Sequence, residues 1–534
     1  MTFPVLPANG PSGYNLTNSL RFRSSASAYL NRTPASAGNR QIYTWSAWVK
    51  RGLLSSSDVY SLFDVQLDAN NWFTLWFRYD SLGYDVSYTS TANRAILKST
   101  AVFRDPSSWY HVVLSVDTTN ATAANRITLY VNNAAIALNF ELGSSYVAQN
   151  TNTAVNATTA HNIARRNAGT PDFYFDGYMA EINFIDGQAL TPSSFGSTNA
   201  VTGVWQPAKY TGTYGTNGFY LPFTNTTSTT TLGNDFSGNG NNWTTNNISL
   251  TPGATYDAMT DVPTLTSPTA ANYCVLNPLN TQSTATLAGG NLNLTTPSTS
   301  YGMSFATVGV SSGKYYWEVT VTGITAGLGI GINKATVALT QYMGQSADSY
   351  CYINSGEKYN NNTTTAYGAT YTTNDVIGVA FDSTAGTLTF YKNNTSQGTA
   401  FSSLTGEFFP AVSDQSNGSA SSLSINFGQR PFAYTPPSGF VALNTFNLPA
   451  GTITTSGTFT GNSSTDGPFV YLNGVPTSMT INGNAVTFGT HADKLANGFK
   501  VRSSTSSYNT SGSNSYSVST TGAVFKNANA QGNP

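Results

Sequence analysis

Charge is scarce in this chain. Lys and Arg number 23 and Asp and Glu 24 among 534 residues, so only 9% is charged and the formal net charge is -1. Nucleic-acid recognition needs clustered basic residues facing phosphates, and here they are scattered and matched by acids. The same shortage argues against an anionic membrane surface as partner. Cysteine is nearly absent too: Cys274 and Cys351 have no CxxC or histidine pairing, which excludes a disulfide framework and predicts two buried thiols. The first residues, MTFPVLPANGPSGYNL, show no basic stretch followed by an apolar one. Nowhere do about 18 apolar residues run together. Synthesis in a cytoplasm, with neither export signal nor membrane insertion, is the expectation.

Helical 3.6 periodicity is also missing. Short alternating runs separated by Gly, Asn, Ser and Pro clusters take its place, and aromatics reach 13%. That supplies enough apolar surface to exclude disorder and predicts an all-β chain. The length is too great for one ordinary domain and suggests about three or four.

In the stretch YTWSAWVKRG, period 2 sends Tyr43, Trp45, Ala47 and Val49 to one face and Thr44, Ser46, Trp48 and Lys50 to the other. Trp45 belongs to an apolar row that needs a core. NWFTLWFRY repeats the design, with Phe73, Leu75, Phe77 and Tyr79 opposite Trp72, Thr74, Trp76 and Arg78. So does WYHVVLSVD, where Tyr110, Val112, Leu114 and Val116 oppose Trp109, His111, Ser115 and Asp117. Tryptophan stacks on pyranose rings while polar neighbours satisfy hydroxyls, with no net charge required. Trp48, Trp72, Trp76, Arg78, Trp109 and His111 are therefore candidates for a glycan-contacting face.

Chemistry-bearing clusters are thin. His111, His161 and His491 have no partner at ligand spacing, and Glu181, Glu318, Glu357 and Glu407 stand apart with no alternating carboxylate run for glycoside hydrolysis. No catalytic residue and no cofactor is assigned. The loop LGNDFSGNGNNW offers one carboxylate, Asp235, as a weak Ca²⁺ candidate, against a plain turn held by Asx motifs.

The segments SLRF, YTWSAWVKRG, WYHVVLSVDTT with NRITLYVNN, FDGYMAEINFIDGQALTPSSFG, GFYLPF and LGNDFSGNGNNW resemble the concanavalin A-like (laminin G-like) jelly rolls of bacteriophage virion proteins. The resemblance spans residues 18–250, after an extended arm at 1–17, and continues through a Pro- and Gly-rich connector at 251–285. From 286 to 447, GKYYWEVTVTG, GLGIGI, NDVIGVAFDSTAGTLTFYKNN, FFPAVS and INFGQRPF resemble a SPRY domain. Residues 448–534 predict a small β unit with turns at Asn473-Gly474 and Asn482-Gly483 and a polar tail. The expected fold is thus tandem β-sandwiches, a jelly roll and then a SPRY-like sandwich, plus a small C-terminal β unit.

These resemblances imply a non-enzymatic virion protein: a tail fibre or receptor-binding appendage contacting host-surface glycan or protein and other virion proteins. The SPRY likeness implies protein contact through loops that include 338–372. Phage fibres by analogy imply a homo-oligomer, such as a trimer. The alternatives are a capsid decoration or head-fibre protein and, from another class, a glycan depolymerase.

Overall fold

A computed structural model describes residues 14–199, 203–297, 301–325, 327–415 and 420–449, together with segments between 452 and 521. Nearly all its regular structure is strand, as composition and alternation require. The expected 1–13 part of the arm, His491 and the Asn473-Gly474 turn lie outside the described residues.

The first sandwich is built from β1 (Ser19–Phe22), β2 (Tyr29–Arg32), β3 (Ile42–Arg51), β4 (Val59–Asp68), β5 (Asn71–Arg78), β6 (Ser81–Tyr88), β7 (Ser90–Val102), β8 (Trp109–Asp117), β9 (Ile127–Val131), β10 (Ala134–Ala135), β11 (Leu138–Leu142), β12 (His161–Ile163) and β13 (Gly177–Asp186). One sheet runs β10-β9-β8-β3-β13-β1 and ends on Ala258–Met259, with Phe219–Leu221 beside β13. The other runs β11-β7-β6-β5-β4-β12-β2 and ends on Thr244–Asn246. The predicted apolar rows fill the space between them: Tyr43, Trp45, Ala47 and Val49 from β3, Phe73, Leu75 and Phe77 from β5, and Tyr110, Val112, Leu114 and Val116 from β8 share one buried cluster. Trp45 stacks on Phe63 of the opposite sheet with centroids 6.2 Å apart. The β9–β10 turn uses Asn132 and Asn133 at positive φ (48° and 72°), as the YVNN phrase predicts.

The second row of β3 is equally buried, and its hydroxyls and amine are paired, whereas the Trp48 indole N–H is not. Thr44 Oγ1 donates to the Gln188 carbonyl and accepts from Leu190 N, both at 2.8 Å. Ser46 Oγ lies 2.9 Å from His111 Nε2. Above this face, Val113, Ile185, Phe195 and Tyr210 form a second apolar cluster under the chain that leaves β13. The Thr44 and Ser46 hydroxyls are tolerated there because each finds a partner.

Residues 251–285 are packed, not a loose tether. Asp257 accepts from Arg21 Nε (3.0 Å) and Arg23 Nε (2.8 Å), and Asp261 accepts from Lys50 Nζ (2.8 Å). Thr260 N donates to the Gln429 carbonyl in the second sandwich. That sandwich approaches the first through Gly289 and Gly290, whose N–H groups donate to Asp176, and through Tyr178, whose hydroxyl donates to the Gly290 carbonyl. Gly290 has φ +69° and a Cβ there would lie 2.5 Å from the Tyr178 ring, so only glycine fits. Residues 14–196 and 207–447 form one compact unit.

In the second sandwich one sheet orders Leu276–Thr281, Ser304–Ala306, Phe409–Asp414, Leu328–Asn333, Ser349–Ile353, Glu357–Asn360 and Thr363–Ala366. The other orders Thr286–Ala288, Asn293–Thr295, Ser422–Asn426, Lys314–Gly323, Val376–Asp382, Thr387–Lys392 and Thr395–Phe401. The GLGIGI phrase is a buried central strand, where a Cβ on Gly331 would meet the Tyr350 carbonyl at 2.0 Å. Described by itself, the C-terminal unit carries a four-stranded sheet (Thr452–Gly461, Gly512–Thr521, Val475–Ile481, Asn484–Ala485) and a three-stranded one (Phe469–Tyr471, Gly498–Val501, Ala492–Leu495).

Candidate functional site

The six predicted glycan-contacting residues do not share a face. Trp48, Trp109 and His111 lie on β3 and β8 of one sheet, Trp72, Trp76 and Arg78 on β5 of the other. Their rows point away from the common core, hence in opposite directions. Burial corrects the expectation further: Trp48, Trp76, Trp109 and His111 are 3%, 1%, 7% and 1% exposed and offer no ring to a ligand. Trp48 stacks on His111 at 4.9 Å, and Trp109 donates its Nε1–H to Asp261 at 3.1 Å. Burial pushes the His111 imidazole down to about 3, so it stays neutral. Only Trp72 and Arg78 keep partial exposure.

Arg78 lies at the edge of an open groove of about 410 Å³, lined by Ser24, Asp58, Tyr60, Tyr79, Phe173 and Tyr174 among others. Its geometry follows from the end of β5. Val59 pairs with Arg78 across β4 and β5, and the next two residues, Tyr79 and Asp80, take positive φ (54° and 64°). That turn holds Tyr79 N on the Asp58 carbonyl at 3.0 Å, while Ser61 N binds the Phe173 carbonyl at 2.8 Å. The 171–175 segment is thereby fixed over β4. Trp76 is buried behind the lining: its ring meets Phe173 edge-on at 6.1 Å, and the Arg78 guanidinium sits 5.5 Å from it and 4.5 Å from Tyr79.

Charge in the groove is compensated from within. Glu141 accepts from Arg78 Nε (2.9 Å) and Nη2 (2.7 Å), and Asp172 accepts from Arg166, which covers Phe173 at 4.0 Å. Burial works against the Arg78 cation, but Glu141 outweighs it and holds its pKa above the ordinary value. Burial, aided by Asp58, raises the Tyr60 hydroxyl to about 12, so it remains a donor. The lining offers ring edges, tyrosine hydroxyls and the exposed Asp58 carboxylate to solvent across a shallow, open surface. Of the groove's lining, Arg78 is among the residues singled out from the sequence, while Tyr60, Phe173 and Tyr174 are not. The non-alternating FYF run at 173–175 was the available signal.

Asp235 is not a cation site. Its oxygens accept from Tyr220 N, Ser237 N, Ser237 Oγ and Asn241 N, each at 2.8 Å, so donors occupy the space a Ca²⁺ would need. Among the described residues no three His, Cys, Asp or Glu side chains converge as a metal set. Glu181, in the β13 bulge at φ +55°, is buried and accepts from Tyr220 Oη at 2.9 Å. Burial lifts it to about 7.

The second sandwich presents a different surface within 338–372. Tyr301 packs against Tyr342 at 4.8 Å and Tyr342 against Tyr359 at 5.7 Å, and both of the latter hydroxyls donate to Asn362 Oδ1 (2.9 and 3.0 Å). All four residues of the neighbouring edge strand Thr363–Ala366 are exposed.

Residues 24–194 match the Concanavalin A-like lectin/glucanases superfamily and residues 314–430 match the SPRY domain. Ran-binding protein 10 of Danio rerio and Ran-binding protein 9 of Homo sapiens are each 34% identical to this chain over 126 residues, covering 23% of it and 20% and 17% of themselves. The chain thus matches about a fifth of the length of these relatives. Among solved structures, the SPRY domain of human HERC1 covers 28% of this chain and 96% of its own at 24% identity and a TM-score of 0.26. Stonustoxin covers 29% and 27% at 22% identity and a TM-score of 0.25. Both matched domains, and a site built of rings and hydroxyls, speak for binding rather than catalysis. The chain carries a concanavalin A-like domain followed by a SPRY domain.

Proposed function

We propose that this chain is a non-enzymatic bacteriophage virion protein, a tail-fibre or receptor-binding appendage, whose Arg78 groove contacts host-surface glycan and whose SPRY tyrosine surface contacts protein. The observation carrying this reading is the groove, where Tyr60 and Tyr174 line an open surface while Glu141 and Asp172 cancel the cations beside them. Two binding folds in tandem on a chain of net charge -1 agree with it, as do the FIDGQAL and SGNGNNW phrases typical of phage jelly rolls.

Immunogold electron microscopy of intact particles, with an antibody to residues 286–447, tests the placement. Gold at the tail or its fibres is the expected result. Gold spread over the head would establish instead the decoration reading, which the covered outer face of β3 and β8 favours. Particles without gold would overturn both.

A further inference from the structure

Three side chains meet beneath the connector in an arrangement that an ion pair alone does not require. Lys50 Nζ lies 2.8 Å from Asp261 Oδ2, 2.8 Å from Asn272 Oδ1 and 2.7 Å from the Tyr273 carbonyl. Lys50 and Asp261 are fully buried. The Tyr178 ring lies 5.8 Å from the same nitrogen. Asp261 is held by Trp109 Nε1 (3.1 Å) and Tyr273 N (3.2 Å). Asn272 donates its Nδ2 to the Ser107 carbonyl at 2.6 Å, which turns its own carbonyl toward Lys50. An amine, a carboxamide and a carboxylate thus meet, the amine and the carboxylate out of water.

In water a lysine is protonated and an amide inert toward it. Here the amine and the carboxyl are both shut away from water, and burial raises the Asp261 carboxyl above its ordinary value, which makes it a better proton acceptor. The carboxylate is placed to take the ammonium proton, and the nitrogen already lies 2.8 Å from the amide oxygen, so little entropy of encounter remains before it reaches the adjoining carbon.

We propose that Lys50 and Asn272 become joined by an isopeptide bond that the folded protein forms itself, with Asp261 moving the protons. Asp261 accepts one proton from the Lys50 ammonium. The amine lone pair attacks Asn272 Cγ, forming the Nζ–Cγ bond. Asp261 delivers its proton to Nδ2, the Cγ–Nδ2 bond breaks and ammonia leaves, carrying away both amide hydrogens and the delivered one. The proton shed by the new amide nitrogen remains on Asp261, which ends neutral now that its cationic partner is consumed. Nothing is oxidised or reduced. Asn272 is half-buried, so the ammonia has a way out, whereas Lys50 and Asp261 stay dry. The bond ties β3 to the segment entering the second sandwich, and pulling force along the chain would then bypass the connector's hydrogen bonds.

Mass spectrometry of the purified full chain tests this without any variant. The intact mass is expected to fall short of the sequence mass by one ammonia. A proteolytic digest is expected to yield one branched peptide joining the Lys50 and Asn272 segments, with trypsin failing to cut after Lys50. Asn272→Ala should restore the full mass and remove the branched peptide. Asn-Gly pairs also lose ammonia through a cyclic imide, so the branched peptide is the deciding readout. A full intact mass after prolonged incubation of folded protein would overturn the proposal, as would a deficit that maps to Asn482-Gly483 instead.

Discussion

Trp48 and His111 face each other across β3 and β8 with their rings stacked 4.9 Å apart, and neither reaches solvent. A pair that looks like a ligand platform in the sequence is packing in the fold. Trp48→Ala should therefore cost stability, about 3–5 kcal/mol for a buried tryptophan, and leave ligand binding unchanged at temperatures where the variant is folded. Urea denaturation beside a binding assay separates the two effects.

Asp257 holds two arginines at once and is itself fully buried, as is Arg21. Asp257→Ala strands the Arg21 charge in the interior, and roughly 3–5 kcal/mol should be lost. Arg78→Ala, by contrast, breaks a partly exposed pair with Glu141. At most about 1 kcal/mol is expected there. Chemical denaturation of both variants should rank them in that order.

Acid stability is set by opposing groups. Burial lowers His111 and His161 from 6.5 to about 3 and about 4. Below pH 6.5 the unfolded chain takes up protons that the folded one refuses, so each histidine removes stability as the pH falls, until its folded value is reached. Burial raises Glu181 from 4.5 to about 7 and Asp64 from 3.8 to about 6. Their stabilising contribution is complete below the unfolded values and is lost as the pH rises through the folded ones. The two trends should offset each other between about pH 6.5 and 4.5. Below that, Asp64 still opposes the histidines down to its unfolded value of 3.8; beneath it the His111 loss is no longer opposed by either carboxyl, and a fluorescence-monitored stability profile should turn down.

Glu181→Gln isolates one side of this balance. Glutamine keeps the hydrogen bond to Tyr220 and never ionises. The variant should match the parent near pH 5 and exceed it by roughly 2–3 kcal/mol at pH 8. Denaturation at the two pH values reads the difference directly, and equal effects at both would show that Glu181 is already ionised at pH 5.

The inner rows of β3, β5 and β8 were legible because period 2 assigns a residue to a face of its own strand. Which sheet a strand joins, and what later covers its other face, depends on pairings between residues far apart in the chain, and period 2 carries no information about them. That is why Trp48 and Trp76 seemed to be neighbours and are on separate sheets. The same limit hid the groove: Arg78 comes from β5, while Phe173 and Tyr174 arrive from a segment with no alternation at all. Asp261 and Asn272 sat in a stretch that reads as a linker by its prolines and glycines, yet they close on Lys50. Turns were legible where asparagine or glycine must take positive φ, as at Asn132-Asn133 and Asn482-Gly483.

If the groove and not the covered tryptophans holds the ligand, the two sets of residues separate in a binding assay. Glycan-array binding of the full chain, compared with its Tyr174→Ala and Trp48→Ala variants after each is shown to be folded, tests it most directly. Tyr174 is a half-exposed ring lining the groove, and its removal is expected to lower binding at least about tenfold, the loss of one stacking contact of roughly 1.4 kcal/mol. Trp48→Ala is expected to bind as the parent does. Binding lost with Trp48→Ala but kept with Tyr174→Ala, or no binding by the parent to any glycan, would contradict the account.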